Sequence, residues 1–126
     1  MADGRARRAA VPVLGLRVAY GVGLIVVPER LARRWLGPAA ASGPTQVPLR
    51  GIGGREIAVH GAAMIAALTG APVRPWLAAS IAGDFADIAA TTAVRGDLPD
   101  GSAGATLAVA GASALLTAAL AATVDS

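Results

Sequence analysis

The stretch Ala103–Val124, AGATLAVAGASALLTAALAATV, holds no charged residue and sets the fold class. A helix this apolar around its whole circumference suits a bilayer better than water. A spanning helix takes roughly 17–25 mostly apolar residues, and this stretch has that length. Three more segments toward the N-terminus fit the same rule. Val73–Val94 follows Pro72 and carries Pro75 near its start. Pro48–Thr69 has Pro48 in its first turn and Gly70 just past its end, the asymmetry helix termini favour. Val11–Val27 stops at Pro28. The expected architecture is all-α: one domain over residues 1–126, a four-helix transmembrane bundle with spans at about 11–27, 48–69, 73–94 and 103–124.

Composition agrees with this expectation. The 126 residues are 55% hydrophobic and 15% charged, against roughly 25% charged in soluble domains. Mean hydropathy is +0.60. A soluble chain this short cannot hide so much apolar surface, because small domains keep much of theirs wet. The net charge of +3 and a pI near 11.0 raise nucleic acid as a partner. All 11 basic residues are arginine, however, and they are scattered among apolar runs rather than gathered on a polar face. No nucleic-acid partner is expected. The abundance of Ala, Gly, Arg and Pro points to a GC-rich bacterial genome; together with the four apolar spans, it makes the bacterial inner membrane the expected location of a multi-pass protein. The absence of cysteine excludes disulfides, thiolate catalysis and Cys-ligated metals. The basic start, with Arg5, Arg7 and Arg8, resembles a signal peptide, but Arg17 interrupts the apolar run behind it, and the segment reads as a first span.

Between the first and second spans, Glu29–Leu36 (ERLARRWL) places Leu31, Trp35 and Leu36 on one face and Arg30, Arg33 and Arg34 elsewhere. That is either a short interfacial helix with arginines at the headgroups or a helical extension with solvated arginines. Gly37–Val47 reads as a Gly/Pro/Ser-rich loop, and Gly96–Ser102 as a polar turn. Trp35 and Trp76 fall at helix ends, where indole rings favour the headgroup region. Leaving Arg50 aside, four arginines (Arg5, Arg7, Arg8, Arg74) stand against four (Arg30, Arg33, Arg34, Arg95), so the positive-inside rule does not orient the chain. Small residues recur every four positions at Gly104, Ala108 and Ala112, at Gly54 and Ala58, and at Ala79 and Gly83. Such rows let helix backbones approach closely in lipid.

Charged residues nevertheless interrupt three of the four spans. The second begins LRGIGGREIAVHGAA, with Arg50 near its edge, Arg55 and Glu56 deeper, and His60 one turn beyond Glu56 on the same face. The third carries Asp84 near its midpoint and Asp87 almost one turn later, and the first carries Arg17. Each charge at a bilayer centre costs on the order of 2.5–3.5 kcal/mol, so pairing is expected. The tight connection Gly70–Pro72 makes spans two and three antiparallel. About 15 residues either side of it, roughly 23 Å along each helix, lie Arg55 and Glu56 on one span and Asp87 on the other. Arg55 and Glu56 should therefore face Asp84 and Asp87, with Arg17 within reach.

Four features together resemble a family of small bacterial and fungal membrane proteins classed as a domain of unknown function. They are a first helix ending at Pro28, the RGIGGRE segment Arg50–Glu56, the pair Asp84 and Asp87, and an uncharged last helix, over roughly Leu14–Leu120. The resemblance implies a four-helix membrane fold and no particular activity. GIGG at Gly51–Gly54 follows no strand and precedes no Lys-Ser/Thr, so it is a packing element and not a phosphate loop.

Two functional readings follow. In the first, the protein is an accessory or structural membrane subunit, or a small-ligand binder, built around a buried Arg/Glu/Asp cluster, with Arg17, Arg50 and Arg55 as the ligand-binding candidates. In the second it is a membrane-embedded isomerase or cyclase for a lipophilic small molecule. There Asp84 or Asp87 trades the proton, His60 or Glu56 assists as base, and Arg55 holds a carboxylate or enolate bidentately. Glu56 and His60 alone are too few ligands for a metal, and Arg55 beside them repels a cation, so neither metal nor cofactor is expected. The bilayer is the expected partner, with a second copy or another membrane protein as a further one.

Overall fold

The computed structural model describes residues 2–125. Among them the chain is helical with no strand. Helix α1 spans Ala2–Val26, α2 Pro28–Leu36, α3 Gly43–Thr69, α4 Arg74–Ala93 and α5 Ser102–Ala121, with short 3-10 turns at Gly37–Ala41 and Arg95–Asp97. The all-α helical bundle is as expected. The interfacial segment forms α2, started by Pro28, whose missing N–H is harmless in a first turn. Gly70 ends α3 in the left-handed region, at φ 81°, as its position after the last apolar turn suggests.

Several boundaries differ from the expected ones. α1 takes in the basic start and carries Pro12 well inside it, where the tertiary contacts of a long helix outweigh one lost backbone bond. The expected loop Gly37–Val47 is almost entirely a 3-10 turn and the first turn of α3. Pro44, at the start of α3, nucleates that turn, and Pro48 lies inside the helix. The expectation of four spans is met in only two helices. Gly4–Val26 of α1 and Ser102–Ala121 of α5 are long and apolar enough to cross a membrane. Arg50, Arg55, Glu56 and His60 dilute α3, and Asp84 and Asp87 dilute α4.

The long helices alternate in direction. At one end Ala10 and Leu14 of α1, Ala63 and Ala66 of α3, Val73 and Leu77 around the start of α4, and Val124 past α5 form a common apolar core. The same end carries a polar clamp. Arg7 donates to the carbonyls of Ala66 (3.0 Å) and Ala71 (2.9 Å) and pairs with Asp125 at 3.0 Å. Asp125 also accepts from the backbone N–H groups of Val73 and Arg74. Partial burial pushes its carboxyl up, but those amides and the charges of Arg7 and Arg74 outweigh that and hold it below the usual carboxylate range.

At the opposite end α2 lies across the bundle. Ala32 packs with Ala40 and Leu49, flanked by Trp35 and Leu36. Trp35 Nε1 donates to Thr91 Oγ1 at 2.9 Å, and Ser102 Oγ donates to the Trp35 carbonyl at 2.6 Å. α1 packs mainly on α3, and α4 mainly on α5. The first pair meets backbone to backbone: a Cβ on Gly53 would lie 2.6 Å from the Gly21 carbonyl oxygen. The small-residue rows read from the sequence lie elsewhere. Gly54 and Gly104 face open space, whereas Gly83 lies under the Arg55 guanidinium. Since α1 and α5 scarcely touch, the bundle is closed at the Ala10–Val124 end and gapes toward Trp35.

Candidate functional site: a charged floor in an apolar cleft

Arg17 projects from α1 into the centre of the bundle. Its Nε donates to Glu56 Oε2 at 2.9 Å and its Nη2 to Glu56 Oε1 at 3.1 Å, a bidentate pair across to α3. The same Nη2 reaches Asp84 Oδ1 of α4 at 3.0 Å, and Nη1 donates to Ser113 Oγ of α5. One guanidinium therefore ties together four helices. Glu56 and Asp84 are each 4% exposed.

The local sequence makes this possible. On α3, Leu49, Gly53, Glu56, His60 and Ala63 recur at intervals of three and four and form the inward face. On α4, Ser80, Asp84 and Thr91 are buried on one face, and Asp87 lies half-buried beside them. Gly53 lets α1 approach closely, which brings Arg17 within reach of Glu56 one turn further along α3.

Behind the cluster, His60 is used up by structure. Its Nδ1 lies 2.8 Å from the Glu56 carbonyl and its Nε2 2.7 Å from Ser80 Oγ. A neutral ring satisfies both contacts, donating from Nδ1 and accepting at Nε2. Glu56 Oε2 is 3.2 Å from the same Nδ1. Arg55 lies on the outer side, 40% exposed, with its Nη2 3.7 Å from Asp87 Oδ1 and 3.8 Å from Glu56 Oε1. Arg55 and Glu56 of α3 thus meet Asp84 and Asp87 of α4 at one level, but through Arg17 more than through Arg55. Arg50 stands apart, donating to the Ile25 carbonyl at 3.1 Å and to Gln46. Among the described residues no buried side-chain polar atom lacks a hydrogen-bond partner.

Above this floor lies a cleft of about 760 Å³, within the range of small-molecule sites. α1 and α5 wall it, with Leu16 and Val109 on the rim, and α2 closes its far end with Leu31 and Trp35. Arg17, Glu56, Asp84 and Asp87 all reach its lining, as does Tyr20, whereas His60, Arg50 and Arg55 do not. Asp87 is the carboxylate left open, with 27% of its side chain exposed and a single long ion pair.

Three contributors were not singled out from the sequence. Ser113 is a lone hydroxyl in an Ala-rich helix and carried no signal. Ser80 lies four residues before Asp84, and that spacing marks it as a neighbour on the polar face. Tyr20, the only tyrosine, lies three residues after Arg17 and so on the same face of α1. The chain matches no family model, no curated protein and no solved structure.

Proposed function

We propose that this chain is a multi-pass membrane protein, with α1, α3, α4 and α5 all spanning, that holds a lipophilic small molecule in the cleft between α1 and α5. The cleft carries the reading: an apolar gap of about 760 Å³ with the Arg17–Glu56–Asp84 ion pairs and the more open Asp87 at its base. Membrane residence is supported by the distribution of polarity. Glu56, His60, Ser80, Asp84 and Thr117 are buried, while Leu16, Ile65, Leu68, Phe85, Val109 and Leu115 are each more than half exposed. Water would reverse that distribution. The two most apolar helices are not the hidden core of a soluble bundle, for only 22% and 11% of their apolar windows are buried. The buried charges of α3 and α4 are tolerable in lipid because they face one another inside the bundle. Membership of the domain-of-unknown-function family rests, as a proposal, on Arg50–Glu56 and the Asp84/Asp87 pair.

The Arg17 cluster sets helix register, and the cleft does the binding. A second reading, acid–base catalysis on the bound lipophile, has one observation in its favour: Asp87 opens into the cleft beside Tyr20. In that reading Asp87 carries the proton, because Asp84 is shielded by Arg17.

Native mass spectrometry of protein extracted from membranes tests the proposal. A lipophile should co-purify with the parent chain and be lost from Ala110→Trp, which fills the cleft wall, with the helical content unchanged. Recovery of the chain in the soluble fraction without detergent, or equal lipophile retention by Ala110→Trp, would reject it.

A further inference from the structure

Taking the cleft as a binding site, we infer that its occupant is a lipophilic cation, an amine or quaternary ammonium, whose charged group rests on Asp87 between Tyr20 and Trp35. Charge carries the first part of the argument. Arg17 and Arg55 face Glu56, Asp84 and Asp87, and His60 is satisfied as a neutral ring, so the cluster keeps one negative charge. Arg17 is saturated by Glu56, Asp84 and Ser113. The surplus therefore resides on Asp87, whose only ion pair is the 3.7 Å approach of Arg55 from the outer side. A carboxylate facing an apolar cleft is expensive to leave unpaired, and a cation entering there relieves it.

Aromatic placement is the second, independent observation. The chain has four aromatic residues, two Trp, one Tyr and one Phe, and two of them, Tyr20 and Trp35, line this cleft. Trp35 bonds Thr91, one helical turn beyond Asp87 on α4. Tyr20 lies within electrostatic reach of Asp87, and its hydroxyl makes no hydrogen bond to any described residue. Aromatic faces beside a carboxylate are what an ammonium group seeks. From Ser102 to Ser113 the α5 wall runs about 17 Å at 1.5 Å per residue, and Ala105, Val109 and Ala110 along it offer an apolar bed for an alkyl chain. Arg34 also lines the cleft, from α2, where it is exposed.

Four decyl compounds of matched chain length decide the matter: decyltrimethylammonium, decylamine, decanol and decanoate. They are titrated below their micellar concentrations into protein held in phosphatidylcholine nanodiscs. The background is Trp76→Phe, which leaves Trp35 as the fluorescence reporter. Both cations should bind saturably and roughly tenfold or more tighter than decanol, the scale of a partly desolvated ion pair, with decanoate weakest. Asp87→Asn should abolish the preference for cations while decanol binding persists, Asp87→Glu should restore it, and Tyr20→Ala should weaken it. Thermal unfolding of each variant in the same nanodiscs separates lost binding from lost fold. Equal binding of all four compounds would keep the cleft and overturn the cation assignment, and so would the tightest binding by decanoate. No saturable binding by any of them would reject the binding reading itself.

Discussion

Arg17 meets partners from three other helices, and this residue bears most on stability. A buried charge stripped of its partner costs about 3–5 kcal/mol, because the remaining group stays desolvated without compensation. Arg17→Met leaves two such groups, Glu56 and Asp84, each 4% exposed. Its thermal unfolding in detergent, followed by circular dichroism, should show a loss of that order. Arg33→Ala, which breaks only the exposed pair with Glu29, should lose no more than about 1 kcal/mol. Neutralising the cluster together, as Arg17→Met with Glu56→Gln and Asp84→Asn, should recover a large part of the loss. A single Arg17→Met variant as stable as the parent would be incompatible with the central place assigned to this residue.

At the scale of elements, the approach of α1 to α3 sets where everything else can meet. Gly21 and Gly53 are the point of closest passage, and each would put a Cβ within 3.0 Å of the other helix's backbone oxygen. Gly53→Ala must push the helices apart and lengthen the Arg17–Glu56 pair one turn away, so a destabilisation of about 1–3 kcal/mol is expected. Gly54→Ala meets nothing within 4 Å and exchanges a flexible helical residue for a good helix former. It should be neutral or stabilising by up to about 1 kcal/mol. The two neighbouring substitutions, compared in one unfolding assay, separate packing from propensity; equal effects would contradict the crossing described here. The same crossing explains the cleft. With α1 bound to α3 and α4 to α5, the remaining seam has no helix to fill it, and α2 covers only one end.

For the whole molecule, the alternating helices make a statement about sides. Ser42 and the turn at Gly96 lie at the α2 end, while Ala71 and Thr123 lie at the end clamped by Arg7 and Asp125. The chain has no cysteine, so a single cysteine placed at each site reports without background. In sealed vesicles an impermeant maleimide should label Ser42→Cys and Gly96→Cys from one face and Ala71→Cys and Thr123→Cys from the other. Labelling of all four from one face would end the multi-pass reading. Which face is cytoplasmic follows from the same measurement, a question the balanced arginines leave open.

The helices, their order and the level at which charges meet were legible along the chain. Apolar runs bounded by Pro28, Pro72 and Gly70 delimit segments by local chemistry, and a rise of 1.5 Å per residue carries depth across one tight turn. The polar stripe of α4 was legible for the same reason, since helical period alone puts Asp84 and Asp87 on one side. Three things required the folded chain. Spacing along a sequence does not say which helix neighbours which, so it could not show Arg17 rather than Arg55 at the centre, or set Arg50 aside. Small residues are too common here to mark a contact, and only the crossing distinguishes Gly53 from Gly54. The cleft exists only because α1 and α5 diverge, and a gap between helices distant in sequence leaves no mark on either one. The uncharged stretch Ala103–Val124 thus specified a helix apolar and long enough to cross a membrane, while tertiary packing made one of its faces the wall of a cleft.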